Sequence, residues 1–286
     1  MTRNYTSRPR IAVVMLCLTA LLAVTGLSAA DVTPLPQAHA HNDYEHERPL
    51  LDALDNGFCS VEADIWLVDG KLLVAHDRED VRPERTLEAL YLDPLQNRVK
   101  RNGGKVYPEG PDFTLLIDLK SEPLATYAAL RKVLANYDDM LTSVSDGRET
   151  RRAVTAVLSG ERSDAFYKML AGIDAEGTRR AGIDGRLSDL DSEVPSHLMP
   201  LISDRWTSHF RYHGGEEMAA DEREKLTRIV HQAHEHGRRV RFWATPHNED
   251  LWQELVDAGV DHVNADDLPR LRAFLSSQPN DTAESN

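Results

Sequence analysis

Eight short apolar segments, most of them followed by a longer segment with helical spacing, constrain this sequence more than any other feature. The apolar segments are residues 37–41, 60–68, 113–120, 153–159, 182–187, 199–203, 239–244 and 262–264. The helical segments include residues 49–56, 124–137, 163–171, 221–236, 248–258 and 269–275. Strands and helices that alternate over about 250 residues predict an α/β fold, the (β/α)8 TIM-type barrel. We expect the fifth strand to be the irregular one.

The first 30 residues have the pattern of an export signal. Residues 1–10 contain three arginines, and residues 1–30 contain no acidic residue. An apolar run follows at 11–27, and small residues come after it. This pattern predicts a signal peptide that is cleaved, so that the protein is secreted or periplasmic. The alternative is an uncleaved N-terminal membrane anchor. We therefore expect a signal at 1–30, a barrel over 31–275 and a flexible polar tail at 276–286.

Composition narrows the class of partner. The chain has 47 acidic and 33 basic residues and a formal net charge of −14. This excess of acid argues against nucleic acid as a partner, because phosphate backbones bind basic surfaces. It still allows a local basic pocket for a lipid substrate, with at most peripheral membrane contact. After cleavage Cys59 would be the remaining cysteine, and we expect it to be a buried thiol without a disulfide.

Acidic side chains cluster where the second and third predicted strands end. Side chains alternate along a strand, so Glu62 and Asp64 share one face, as do Asp118 and Lys120. Three carboxylates at one barrel mouth form a site of hard oxygen ligands that suits Mg²⁺ or Ca²⁺. Lys120 could pair with them or bind a phosphate oxygen. The alternative is that each carboxylate is the exposed end of an amphipathic strand.

Histidines stand near the same strand ends. His41 ends the first predicted strand, and His76 follows the second after a turn at 69–70. Both can exchange protons near neutral pH, which suits them to acid–base catalysis. His39 and His41 also match the start of a zinc site of the amidohydrolase type, which would need further histidines at later strand ends.

Together these motifs resemble the phosphodiesterase superfamily of glycerophosphodiester phosphodiesterases, phosphatidylinositol-specific phospholipases C and sphingomyelinases D. The resemblance rests on His-Asn-Asp at 41–43, Glu-x-Asp at 62–64, His-Asp at 76–77, Asp-x-Lys at 118–120 and the runs at 241–246, 258–261 and 264–267. It covers nearly all of residues 37–275 and is nearest to the branch called altered inheritance of mitochondria protein 6.

The resemblance implies a role for each matching residue. Glu62, Asp64 and Asp118 would ligate one divalent cation, Mg²⁺ or Ca²⁺. His41 and His76 would be the catalytic acid–base pair, and Lys120 would contact the phosphate. The implied activity is metal-dependent hydrolysis of a phosphoric diester, with a small-molecule or lipid phosphodiester linked to glycerol or lipid as the substrate.

The chain departs from that pattern at the first strand. Glycerophosphodiesterases have His-Arg-Gly there, whereas this chain has Asn42 in place of the arginine that touches phosphate. Arg205, at the sixth strand end, is a candidate replacement, and Trp243 is either core or a wall of the substrate mouth. Glu47 stands at the spacing of a metal-binding glutamate but lacks the Asn-Thr that usually follows it.

Two other functions are compatible with these residues. One is a non-catalytic barrel that binds phosphorylated ligands, which the missing arginine would favour. The other is a hydrolase of the zinc amidohydrolase type. The predicted fourth and fifth strands, at 153–159 and 182–187, contain no histidine that would complete its site.

Overall fold

The computed structural model describes Met1 and residues 32–160 and 163–279. The predicted export signal, apart from Met1, and the tail beyond residue 279 therefore lie outside the described residues. In the part of the chain that the structure does describe, no helix combines the length and the apolar character needed to cross a bilayer.

The described chain contains twelve strands, eight of which form one parallel sheet. In chain order they are β1 Leu35–Ala40, β2 Phe58–Val68, β3 Lys71–Val74, β4 Phe113–Leu119, β5 Ser143–Ser145, β6 Arg148–Thr150, β7 Val154–Ser159, β8 Thr178–Arg179, β9 Ala181–Gly185, β10 Leu201–Arg205, β11 Arg239–Trp243 and β12 Val263–Ala265. The parallel strands follow the order β11-β10-β9-β7-β4-β2-β1-β12. A parallel bridge between Arg241 and His262 connects the two ends of this order, which nearly closes the barrel.

Helices connect the strands and cover the outside of the barrel. They are α1 Leu51–Asp55, α2 Asp93–Arg101, α3 Pro123–Leu134, α4 Asp164–Glu176, α5 Trp206–His209, α6 Ala220–Glu235, α7 Glu249–Asp257 and α8 Leu268–Ser277. In α6 the residues at helical spacing, Leu226, Ile229, Val230 and Ala233, are buried. The main apolar core therefore lies between the helices and the strands, where burial of such stripes stabilises the fold.

A second, smaller core fills the inside of the barrel. It consists of Leu116, Val157 and Leu201, which are each at most 2% exposed. Residues paired across neighbouring parallel strands point to the same face of the sheet, and Leu116 pairs with both Glu62 and Val157. Asp64 and Asp118 lie two residues further along β2 and β4, so their side chains also point into the barrel. They stand above the small inner core, which forms an apolar floor.

The predicted barrel is confirmed, and its eight strands lie within two residues of the expected ends. The helix α2, the short π-helix at Glu88–Leu92 that precedes it and the small sheet β6-β5-β8 were not expected from the sequence. Strands β5, β6 and β8 are two or three residues long, which is shorter than the periodic pattern that marks a strand. The helix α8 extends two residues into the predicted tail.

Candidate active site

Three carboxylates meet at the carboxyl end of the barrel, where β2 and β4 lie side by side. Asp64 pairs with Asp118 in the register of these strands, and Glu62 lies one inward position below. One oxygen from each of the three lies within 4.8 Å of the others. Asp64 is buried, and its Oδ1 has no hydrogen-bond partner among the described residues. Three carboxylate oxygens with a buried oxygen left unpaired fit a hard divalent cation.

A buried arginine from the opposite end of the chain holds Glu62. Arg241 Nη2 donates to Glu62 Oε2 at 2.9 Å, and Arg241 Nε donates to Asn264 Oδ1 at 2.9 Å. Burial alone would raise the pKa of Glu62, but the Arg241 guanidinium outweighs it and holds that pKa well below its usual range. Glu62 is therefore an ionised side chain with a fixed orientation.

Asp64 has a different electrostatic environment. Burial and the nearby charge of Glu62 raise the pKa of Asp64 to about 6, although Lys120 opposes the shift. Lys120 Nζ lies 3.0 Å from Asp64 Oδ2 and 3.3 Å from Asp118 Oδ1. Lys120 therefore pairs with the two carboxylates, and its ammonium stands at the edge of the cluster.

His41 lies beside the cluster with one ring nitrogen anchored. Its Nδ1 donates to Asp266 Oδ1 at 2.8 Å, and its Nε2 lies 3.9 Å from Glu62 Oε2. Burial on its own lowers the pKa of an imidazole, but Asp266 and Glu62 outweigh it, so the pKa of His41 is raised. A carboxylate only accepts, so Asp266 fixes the Nδ1–H tautomer and leaves Nε2 directed to the carboxylates.

His76 reaches the cluster through a tight hairpin. The turn residues Asp69 and Gly70 both have positive φ, as a two-residue hairpin turn requires, and β3 returns antiparallel to β2. At its end Ala75 N–H donates to Asp64 O at 3.2 Å. His76 Nδ1 then lies 3.1 Å from Asp64 Oδ2, and about half of its side chain is exposed.

Tyr44 connects several of these groups. Its hydroxyl lies 2.7 Å from Asp64 Oδ2, 2.7 Å from Asn42 Oδ1 and 3.0 Å from His76 Nδ1. Asn42 thus contacts the tyrosine that supports the cluster, and it adopts a left-handed conformation with φ 47°. Glu47 is exposed and does not belong to the group of carboxylates that could share an ion.

Arg205 and Trp243 lie at the rim of the mouth. They end β10 and β11, pair in register, and place the Arg205 guanidinium carbon 5.6 Å from the centre of the Trp243 ring. Trp243 is half-buried and Arg205 is exposed. The pair therefore lies two residues beyond Ser203 and Arg241, whose side chains point into the barrel.

Within the described residues, no group of histidines is placed so that it could hold a metal ion. His39 is buried and its Nδ1 lies 2.7 Å from Ser60 Oγ, while the one metal-like group in the described residues consists of carboxylates. This arrangement does not favour the zinc alternative. Cys59 is buried, as expected.

Arg241, Asp266 and Tyr44 are site residues to which reasoning from the sequence gave no role. Arg241 and Asp266 lie within the C-terminal runs that carry the resemblance, but their partners are 179 and 225 residues away along the chain. Tyr44 follows the His-Asn-Asp motif directly. A polar residue inside an apolar strand was the available signal for Arg241.

Comparison with known proteins agrees with this geometry. Residues 27–174 match the AIM6-like phosphodiesterase domain, and residues 239–269 match the glycerophosphoryl diester phosphodiesterase family. Altered inheritance of mitochondria protein 6 from Eremothecium gossypii is 30% identical over 279 residues, covering 85% of this chain and 70% of that protein. Its homolog from Arthroderma benhamiae is 27% identical over 279 residues, covering 85% of each chain.

A solved structure shares the fold. The calcium-dependent phosphoinositol-specific phospholipase C from a Pseudomonas species superposes with a TM-score of 0.50 at 13% identity, covering 88% of this chain and 94% of that one. The fold and the carboxylate cluster define a (β/α)8 barrel of the phosphodiesterase class. Within that class, the chain belongs to the AIM6-like phosphodiesterase domain family. This membership supports phosphoric diester hydrolysis in general.

Proposed function

We propose that this protein is a metal-dependent phosphoric diester hydrolase that acts on a small-molecule or lipid phosphodiester linked to glycerol or lipid. One observation carries the proposal. Oxygens of Glu62, Asp64 and Asp118 lie within 4.8 Å of one another, and His41 and His76 flank this cluster. Carboxylates gathered inside a barrel are costly unless they are paired with positive charges or bind a metal cation.

The three carboxylates would hold one divalent cation, Mg²⁺ or Ca²⁺. When bound, the cation would neutralise charge that grows on a phosphodiester oxygen during hydrolysis. Lys120 supplies a second positive charge beside the cluster, 3.0 Å from Asp64, and would contact a phosphate oxygen bound there. Arg205 and Trp243 would contact the substrate further out, at the rim.

His41 and His76 would move the protons. The Nε2 of His41 faces the cluster because Asp266 occupies Nδ1, and Asp266 and Glu62 raise the pKa of His41, which stabilises its protonated form. We therefore assign His41 to protonation of the leaving alkoxide. His76, anchored through Nδ1 to Asp64, would remove the proton from the attacking hydroxyl or water through Nε2.

The assay uses bis(p-nitrophenyl) phosphate and glycerophosphodiesters, with and without EDTA. We expect hydrolysis that EDTA abolishes and that Mg²⁺ or Ca²⁺ restores. Glu62→Gln with Asp118→Asn should remove the metal response, and His41→Ala or His76→Ala should lower the rate by roughly 10²–10⁴. His231→Ala is the matched control, since His231 is an exposed residue of α6 that pairs with Glu235. Activity indifferent to EDTA and to these substitutions would contradict the proposal.

A second candidate, a non-catalytic barrel that binds phosphorylated ligands, is favoured by one contact. Lys120 already bridges Asp64 and Asp118, so it could neutralise much of the cluster without a metal. Binding of a phosphodiester that is never hydrolysed, in the presence of each cation, would select this candidate.

The pattern at residues 1–30 leads us to propose an exported protein, secreted or periplasmic, in which the barrel works after removal of that segment. N-terminal sequencing of the protein recovered from outside the cytoplasm should begin at or near residue 31. A protein that keeps residues 1–30 and sediments with membranes would indicate the anchor instead.

A further inference from the structure

A polar cavity of about 150 Å³ lies at the amino end of the barrel, away from the carboxylate cluster. Thr114, Thr155 and Arg239 line it, and each is the first or second residue of its strand. Val157 and Leu201 of the small inner core also line it. The inner core therefore separates this cavity from the active site, and the space can hold several water molecules or one small ligand.

Arg239 faces this cavity without an acidic partner. Its side chain points inward because Arg239 pairs in register with Leu201, and it is half-buried. Its Nη1 donates to Thr114 Oγ1 at 2.8 Å, and no carboxylate oxygen of the described residues lies within 4.0 Å of its guanidinium. Arg241, two residues further along β11, instead pairs with Glu62. A guanidinium has five N–H donors in a planar fork, so Arg239 retains donors that match a carboxylate.

Asp112 gives the same cavity an unpaired negative charge. It directly precedes β4, lines the cavity and is half-buried, and no described residue forms an ion pair or a side-chain hydrogen bond with it. Glu149 and Arg151 also line the cavity, but they pair with each other at 2.9 Å, so Arg151 acts on Asp112 only from a greater distance. Asp112 and Arg239 therefore remain as one carboxylate and one guanidinium that share a cavity without pairing.

His262 adds polar atoms to the wall of the cavity but no charge. It lines the cavity and is 3% exposed. Burial and the nearby charge of Arg239 lower the pKa of His262 well below its usual range, so the ring is neutral. A neutral imidazole has one donor and one acceptor nitrogen, and neither ring nitrogen has a hydrogen-bond partner among the described residues. Buried polar groups are rarely left unpaired, which indicates that this end of the barrel holds water or a ligand.

We propose that this cavity binds a small zwitterion with one carboxylate and one ammonium group, the chemistry of a free amino acid. Arg239 binds the carboxylate, and Asp112 binds the ammonium. A simple anion would be repelled by Asp112, and a simple cation would be repelled by Arg239. One molecule with both charges compensates both side chains at once. The inference does not depend on the proposed hydrolase function, since the inner core lies between the two sites.

The test is calorimetric titration of the protein with glycine and β-alanine, which carry the two charges at different separations. EDTA is present so that no metal at the mouth can bind these ligands. Acetate and methylammonium are the matched probes that carry one charge each. We expect at least one amino acid to bind about tenfold or more tightly than either single-charge probe, the range for a hydrogen bond to a charged group.

Two variants assign the contacts. Arg239→Gln should weaken binding of the amino acid about tenfold or more, because the ligand carboxylate loses the guanidinium. Asp112→Asn should weaken the amino acid as well but should strengthen acetate binding, because the repelling carboxylate is gone. A merely structural defect would weaken both ligands. If circular dichroism shows that one variant does not fold, the other variant decides the question.

Lys120→Gln is the matched control, since it removes a positive charge at the mouth and leaves the amino end of the barrel unchanged. It should leave the affinity for the amino acid unchanged. The inference is overturned if neither amino acid binds at millimolar concentration, or if acetate binds as tightly as both of them. It is also overturned if Lys120→Gln weakens amino-acid binding as much as Arg239→Gln does.

Discussion

The buried pair of Arg241 and Glu62 gives a quantitative test of how this site is held together. Arg241 is 2% exposed and Glu62 is 7% exposed, and their charged atoms lie 2.9 Å apart. Removing one partner of such a pair costs about 3–5 kcal/mol, because the other charge remains buried without compensation. The glutamine of Arg241→Gln could still donate a hydrogen bond to Glu62 or to Asn264. We therefore expect a loss at the lower end of this range, with the free energy of unfolding lowered by about 3 kcal/mol.

Denaturant and thermal unfolding in EDTA would measure this loss, with circular dichroism to confirm that the variant folds. In a domain of this size, about 3 kcal/mol corresponds to a Tm lowered by roughly 6–12 °C. Arg223→Gln is the matched control. Arg223 makes a two-bond pair with Glu254 but its side chain is 42% exposed, so its loss should cost less than about 1 kcal/mol.

A double-mutant cycle separates the pair from other effects of the substitution. Glu62→Gln with Arg241→Gln should be less destabilised than the sum of the two single variants, because neither charge is left alone. Mg²⁺ or Ca²⁺ should stabilise Arg241→Gln more than the parent protein, since the ion would replace the missing positive charge beside Glu62. The reasoning is wrong if Arg241→Gln lies within about 1 kcal/mol of the parent, or if the two substitutions are additive.

Three further predictions follow from single residues. Asp64 must lose its proton to bind a cation and its pKa is about 6, so the metal Kd measured by calorimetry should rise about tenfold from pH 7 to pH 5; a constant Kd would contradict this. Burial raises the pKa of Asp43 from 3.8 to about 7 despite a hydrogen bond from Leu50 N–H. The folded protein therefore binds this proton more tightly than the unfolded chain, and the contribution to stability falls by roughly 4 kcal/mol as pH rises from about 4 to about 7. Asp43→Asn should remove that slope from denaturation curves, and an unchanged slope would refute the assignment. Gly160→Ala should destabilise by about 1–3 kcal/mol, because φ is +89° and the new Cβ would lie 2.7 Å from Leu119 O. Gly70→Ala is the control, because φ is +77° there as well but no atom lies within 4 Å of the new Cβ. Denaturation should show a smaller loss of stability for Gly70→Ala than for Gly160→Ala.

The barrel was predictable because each of its strands has a local signature. Apolar runs such as 113–120 are long enough to mark a strand, and helices between them show one-sided spacing. Strand alternation also places Glu62 and Asp64 on one face, and their register with β4 brings Asp118 to them. The local pattern of each strand, together with the barrel that these strands predict, was therefore sufficient for the carboxylate cluster.

The surroundings of the cluster could not be predicted in this way. Arg241 reaches Glu62 from a strand 179 residues later, and no local pattern encodes that distance. The inward position of Asp184 beside Arg186 could not be predicted from the local sequence either. Their segment is a short strand that ends in a turn, and only the register with Leu201 shows that Asp184 points inward. Buried polar pairs form only when the barrel closes and brings distant strands together. The sequence predicts that the fold is a barrel, but it does not predict which residues meet inside it.

The charges at the mouth show why this barrel tolerates so much buried acid. Glu62, Asp64 and Asp118 carry three negative charges when ionised, and Lys120 and Arg241 supply two positive ones in direct contact. The five groups thus sum to one uncompensated negative charge, which is costly at this depth. A divalent cation would reverse that sign, and a phosphodiester, with its single negative charge, would then neutralise the site. The same arrangement without the cation would repel the substrate, so on our proposal the order of binding is metal first and diester second.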